Sequence, residues 1–145
     1  MTAVVVDTSV VIKWFHAEGE SEVREARAVL AAHRDEVLTA YILDLGVYEL
    51  ANVLLRSLKW SAEDTADQLD DLLVICGPPL VPAPAWHREA AGLAEAHRLS
   101  FYDAAFAAAA RAMRATLVSA DKQLLAAGLA ESPAACAKRL RLLPG

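Results

Sequence analysis

Two kinds of apolar pattern alternate along the chain. Short runs at residues 4–6, 37–40 and 117–118 are rich in apolar and β-branched residues and have the length of buried strands, while longer stretches repeat apolar residues every three or four positions, as helices do. A first helix over residues 10–15 directly follows the first run, and Asp7, Thr8 and Ser9 supply side-chain acceptors suited to capping it. Between residues 20 and 33, Val23, Ala26, Val29 and Leu30 fall at helical spacing among charges. Residues 45–58 predict an amphipathic helix whose apolar face carries Val47, Leu50, Ala51, Leu54 and Leu58, leaving Glu49 on the flank with Asn52 and Arg56. Ser61 followed by Glu63 and Asp64 marks another helix start; Leu69, Leu72, Leu73 and Ile75 form its buried side, and Gly77, Pro78 and Pro79 its stop. Residues 86–97 and the alanine-rich 101–114 predict two more helices, and Asp121 caps a short one through Leu125. Leu80 and Val81 read either as a short strand or as a connection, and residues 140–143 as an edge strand.

Strands alternating with helices imply βαβ units, hence a parallel sheet covered by helices on both faces. With 145 residues, 56% of them hydrophobic, the chain supports one domain over residues 1–145 with a buried core. No Gly/Ser-rich linker or repeat divides it. The N-terminus has no basic segment and meets an acid at Asp7, and no apolar stretch approaches the ~20 residues of a membrane-spanning helix, so a soluble cytoplasmic protein is expected. Cys76 and Cys136 belong to no Cys-x-x-Cys or Cys/His cluster, which suits two core thiols in a reducing compartment. The net charge of −5 argues against a broad basic surface for nucleic acid. Acids gathered in one pocket and neutralised by metal ions would account for much of that balance.

Asp7, Glu49, Asp103 and Asp121 are such acids, each set among apolar or small residues. Asp7 and Asp121 follow expected strands, and in an open α/β sheet ligands bind at the carboxyl ends of strands. Taken singly, each has a structural reading. Asp7 and Asp121 suit N-caps, Asp103 fits the cap-and-third-residue pattern begun by Ser100, and Glu49 fits a solvated flank. Taken together, three acids at helix starts and one on a helix flank can face the same end of a parallel sheet. Two carboxylates about 5 Å apart repel by roughly 3 kcal/mol at an effective dielectric near 20, so four would raise their pKa values or hold a cation. Mg²⁺ or Mn²⁺ suits such oxygen donors, whereas zinc prefers His or Cys, and His16, His33, His87 and His97 show no ligand spacing.

Four segments carry a family likeness: Val4-Val5-Val6-Asp7-Thr8-Ser9-Val10, Glu49-Leu50-Ala51-Asn52-Val53-Leu54, Tyr102-Asp103-Ala104-Ala105 and Ser119-Ala120-Asp121-Lys122-Gln123-Leu124. In order and spacing the chain resembles the PIN domain family and, within it, the VapC toxins of bacterial toxin-antitoxin pairs. The resemblance covers nearly the whole chain and departs where the family often has a proline, at Ala40-Tyr41-Ile42-Leu43. It implies an α/β/α sandwich around a mostly parallel sheet of about five strands. It further implies a Mg²⁺-dependent endoribonuclease, with Asp7, Glu49, Asp103 and Asp121 as catalytic, metal-binding acids and Ser9 and Ser119 as supporting hydroxyls. Asp7 and Asp103 are then the foremost ligands, Glu49 binds metal directly or through water, and Asp121 either joins them or completes a second metal position. The expected partners are an RNA substrate, a cognate VapB-type antitoxin and a second copy of the chain in a homodimer.

Three other readings compete. A haloacid-dehalogenase-like phosphatase would need a second Asp where Ser9 stands. A DNA nuclease shares the acid logic but usually needs extra segments. A catalytically silent PIN-like binding module would usually have lost some of the acids. P-loop, dinucleotide-binding glycine and Gly-x-Ser-x-Gly motifs are absent from the sequence.

Overall fold

Three parallel strands form the middle layer of the structure, a computed structural model that describes residues 2–144. The central strand β1 (Thr2–Val6) pairs with β2 (Leu38–Tyr41) along one edge and β3 (Thr116–Val118) along the other. Val5 lies opposite Tyr41 on one side and Leu117 on the other, and Val6 lies opposite Val118. The chain thus leaves β1 for one neighbour and later returns to its other side. That reversal opens a crevice at the strands' carboxyl ends, where α/β sheets bind ligands.

The β-branched run is buried on both faces, because successive side chains of a strand point to opposite sides. Val4 and Val6 join one core with Leu38, Ala40 and Val118, while Val5 joins the other with Leu117. The first core is closed by α1 (Thr8–Phe15), α2 (Val23–Arg34), α4 (Ala62–Cys76) and α8 (Pro133–Arg139). The second is closed by α5 (Pro84–His97), α6 (Phe101–Ala112) and α7 (Lys122–Ala126). Between them α3 (Asp44–Asn52) sends Leu50 into the first core and packs Leu45 against the second. This is the expected three-layer α/β/α arrangement.

The sheet itself has three strands rather than about five. Two further positions continue its row by one residue each: Leu80 bridges Leu43 beyond β2, and Glu131 bridges Val118 beyond β3, both in parallel. The physical reason is local. Pro78, Pro79, Pro82 and Pro84 surround Leu80 and have no N–H to extend a ladder, while Ser132 and Pro133 start α8 directly after Glu131. Residues 140–143 form no strand. They close α8 instead, with Leu142 N donating to Ala137 O at 2.9 Å and Arg141 in the left-handed region at φ 55°.

Most helices start where the sequence signals them. Ser61 accepts from Asp64 N and Ser100 from Asp103 N, capping α4 and α6. The helix expected over residues 45–58 divides: after Asn52 it widens into a π-helical turn, Val53–Ser57, closed by Leu58 N donating to Val53 O at 3.0 Å. Among the described residues no helix is long and apolar enough to cross a membrane.

Candidate functional site

Asp7 stands one residue past the central strand, with its N–H still donating to Val118 O at 3.2 Å. It occupies the N-cap position of α1 without a side-chain cap hydrogen bond, although the Val10 N–H is near enough to lower its pKa slightly. One oxygen, Oδ1, accepts from Ser9 Oγ at 2.5 Å, and the other, Oδ2, accepts from Ser119 Oγ at 2.5 Å. Ser9 Oγ in turn accepts from Ala120 N at 2.9 Å, and Ser119 Oγ from Asp121 N at 3.0 Å. Each hydroxyl has a single proton, so these backbone donors fix both serines as donors toward Asp7. Their mutual 3.5 Å approach is then a contact only.

This carboxylate is only 4% exposed and has no cationic side chain as a hydrogen-bond partner. Burial raises its pKa from 3.8 to about 6; the hydrogen bonds from Ser119 and Ser9 work in the opposite direction, and the charge of Asp121 adds to the rise. An acid held in this way is one that a cation would stabilise.

The other three acids are less buried. Glu49, on α3, accepts from Thr8 Oγ1 through its Oε1 at 2.7 Å, which leaves Oε2 available to a ligand. Burial raises its pKa, Thr8 offsets part of that, and Asp103 raises it again. Asp103, in the first turn of α6, is also raised, first by burial and then by the charge of Asp121, against a lowering by Ser100. Asp121 spends Oδ1 on the N–H groups of Gln123 and Leu124, at 2.9 and 3.0 Å, as the N-cap of α7. Its second oxygen is available. Electrostatic influence therefore links all four acids, from Glu49 to Asp103, to Asp121, to Asp7.

Among the described residues no three His, Cys, Asp or Glu side chains stand close enough to cage a metal ion. Asp7 and the half-buried Glu49, Asp103 and Asp121 offer oxygen donors only, the donor type that Mg²⁺ takes while keeping several waters. The histidines stand apart from this chemistry where their roles are visible: His33 accepts from Ala40 N at Nδ1, at 3.0 Å, so its Nε2 carries the proton given to Ile75 O at 2.7 Å.

Sequence reading gathered Asp7, Glu49, Asp103 and Asp121 at one end of the sheet with Ser9 and Ser119 in support; in the structure hydrogen bonds join Asp7 to Ser9 and Ser119, and Ser119 to Asp121, while Glu49 and Asp103 are linked to the group only electrostatically. That reading missed Thr8, read there only as a cap. A β-branched hydroxyl between Asp7 and Ser9 at a strand end was the available signal, but its partner lies 41 residues away. It also missed Gly46, where an added Cβ would lie 3.6 Å from both the Phe106 ring and Thr8 Oγ1. Gly46 thus sits where α3, α6 and the start of α1 meet.

Comparison with known proteins adds family and fold. The family model described as PIN domain matches residues 4–128. Among solved structures, PAE2754 from Pyrobaculum aerophilum superposes with a TM-score of 0.70 at 22% identity, covering 98% of this chain and 91% of that one. FitAcB from Neisseria gonorrhoeae superposes with a TM-score of 0.62 at 18% identity, covering 89% of this chain and 95% of that one. No curated protein matches the chain.

Proposed function

The chain belongs to the PIN domain family, and from that premise we propose that it is a metal-dependent endoribonuclease, the VapC-type toxin of a toxin-antitoxin pair. The observation that carries this reading is Asp7: a carboxylate buried at the carboxyl end of the central strand and gripped by two serines.

Bound Mg²⁺, or Mn²⁺ in its place, supplies Lewis-acid stabilisation of phosphate oxygens and an activated water. Asp7 would hold that ion through lone pairs that the serines leave open, since an ionised carboxylate offers about four acceptor sites. Asp103 would hold it from the first turn of α6. Glu49 would hold the ion through Oε2, directly or through water, and Asp121 would offer its second oxygen to a second metal position. Ser9 and Ser119 fix the Asp7 carboxylate plane, so the anchor does not reorganise when substrate arrives. The acids form no covalent bond to substrate. Water would attack the phosphorus in line, its oxygen forming the new P–O bond as the bond to the 3′ oxygen breaks and a proton from that water ends on the leaving oxygen, giving a 5′-phosphate and a 3′-hydroxyl. The RNA 2′-hydroxyl takes no part.

The proposed inhibitor is a VapB-type antitoxin whose basic side chain compensates the charge of the acids, and the proposed assembly is a homodimer. Addition of the antitoxin should block cleavage. The direct test uses end-labelled structured RNA with Mg²⁺, with Mn²⁺ and with EDTA, followed by analysis of the fragment ends. Cutting with either metal, none in EDTA, and 5′-phosphate ends are expected. Undiminished cutting in EDTA, or 2′,3′-cyclic phosphate ends, would contradict the mechanism.

A further inference from the structure

Charge is unevenly placed on this molecule. The whole chain carries −5, yet residues 132–144 hold Lys138, Arg139 and Arg141 and no acid. Arg139 is occupied, its Nη2 donating to Glu131 Oε1 at 2.6 Å. Lys138 and Arg141 are not, and together with Arg24 of α2 they line one groove of about 530 Å³ between α2 and α8. All three cations are exposed, and among the described residues no hydrogen bond or ion pair takes their side chains. Glu25 is the only acid among the described residues of that lining. Four other cavities of the surface have one cation each, and each of those includes at least one acid.

The walls of the groove are fixed before anything binds. Glu22 Oε1 accepts from Ala134 N at 2.8 Å, which joins the residue before α2 to the first turn of α8. Lys13, buried on α1, donates to Glu20 Oε1 at 3.0 Å and to Ser21 O at 2.7 Å, and Arg27 Nε donates to Lys13 O at 3.1 Å. These bonds pin α2 to the helix that Asp7 precedes. At the other end Leu142 N donates to Ala137 O at 2.9 Å and Arg141 N to Lys138 O at 3.2 Å, a turn that returns Arg141 and Leu143 to the groove. A ligand therefore finds the two backbones already in place, and less ordering is lost on binding.

Three unpaired cations against one acid select a ligand with several negative charges. The lining has no aromatic ring to stack a base and no amide to pair with one, so a nucleic acid would be held by its phosphates. An acidic peptide is the competing ligand. It would draw much of its affinity from a large side chain seated in a desolvated socket, whereas the apolar part of this groove is two alanines, Leu143 and the exposed Pro144. A phosphodiester strand needs no such socket. A chain at −5 also gives RNA no long-range attraction, and the acids at the end of the sheet repel phosphates, so a local basic groove supplies the grip that the rest of the molecule lacks. None of its lining residues belongs to the candidate site.

We propose that the α2/α8 groove, through Arg24, Lys138 and Arg141, is a second RNA-binding site that holds phosphates of the substrate strand away from the bond that is cut. The proposal rests on the nuclease reading above for the identity of the strand, but its test does not require cleavage. Fluorescent single-stranded uridylate and adenylate RNAs of about 12 nucleotides are titrated in EDTA, over a series of salt concentrations, with full-length wild type, Arg24→Gln, Lys138→Gln and Arg141→Gln. Arg88→Gln is the control, an exposed cation on α5 in the opposite layer. Folding is checked for each. Wild type should bind both RNAs alike. Each groove variant should weaken both about 5-fold or more at low salt and flatten the slope of log K against log salt by about 0.7, the loss of one phosphate contact on a single strand. Arg88→Gln should match wild type.

No wild-type binding, groove variants that bind as wild type does, or an equal loss in Arg88→Gln would overturn the site. So would binding of a peptide alternating glutamate and leucine that the groove variants lose while RNA binding stays unchanged, which would assign the groove to an acidic protein partner. Groove-dependent RNA binding without metal-dependent cleavage would keep the groove and remove the nuclease. Metal-dependent cleavage with no groove-dependent binding would do the opposite.

Discussion

Asp7 shows how a residue with an ordinary structural explanation can be separated from it. An aspartate before a helix is usually a cap, and the sequence could not exclude that reading. In the structure both carboxylate oxygens take serine hydroxyls and no side-chain cap hydrogen bond forms, so the Val10 N–H is left with the smallest influence on the acid. Burial of an ionised acid without a countercharge costs stability, and the sign follows from the raised pKa. Its favourable contribution is complete below the unfolded value of 3.8, declines as pH rises, and is gone above about 6. Asp7→Asn removes the charge but turns an amide N–H toward a serine that donates, so its net effect at pH 7 combines a gain and a loss, and its clear signature is a flatter dependence of stability on pH between about 4 and 7. Thermal unfolding in EDTA at the two pH values checks this; a variant with the pH dependence of wild type would contradict it. Ser119→Ala should steepen that dependence. It strips a donor from Asp7 and an acceptor from Asp121 N, and should cost about 1–3 kcal/mol at pH 7.5 and less at pH 5, by denaturant titration. Thr8 marks the limit of residue-level reading, since its 2.7 Å bond to Glu49 closes a long loop that local sequence does not report.

At the scale of elements, the helices and the three central strands were legible because period and capping agreed with burial. The edges were not. Leu80 and Val81 carry strand-like side chains, but the prolines around them deny the backbone a ladder, so only one bridge forms. Residues 140–143 have the apolar content of a strand and instead end a helix, α8, that was not anticipated; its Ser132 cap and Pro133 start are short-range signals eclipsed by the leucines that follow. The widened turn at Val53–Ser57 was equally hidden, since it keeps Leu50 and Leu54 buried as an unbroken helix would. The alanines of α6 carry a consequence of their own. Ala104 to Ala110 are buried around Phe106 against the sheet and α5. Ala109→Leu should cost about 1–3 kcal/mol, whereas Leu at the exposed Ala112 should stay within about 0.5 kcal/mol, both by chemical denaturation. Equal effects would show that α6 is loosely packed.

For the whole molecule, layer order, strand order and the acid-bearing end of the sheet are one design. Strand β1 lies between β2 and β3, so its carboxyl end is where connections diverge and where Asp7 meets Ser119 and Asp121 from the neighbouring strand's end. Fold class was readable from alternation alone, while the acids' separation was not, because distance across a surface has no trace in sequence. If a divalent ion binds the native state there, it must stabilise the fold. Saturating Mg²⁺ at 100 times its Kd should add about 2.7 kcal/mol, seen as a rise in Tm for wild type and little or none for Asp7→Asn. A metal-dependent nuclease anchored on Asp7 is tested most directly by single-turnover cleavage of end-labelled structured RNA by wild type, Asp7→Asn and Asp103→Asn, each shown to be folded, with Mg²⁺ and with EDTA. Wild type should cut only with metal, and each variant should lose at least about 100-fold, the scale of removing one preorganised electrostatic contact. Folded variants that cut as fast as wild type would contradict the assignment of these acids.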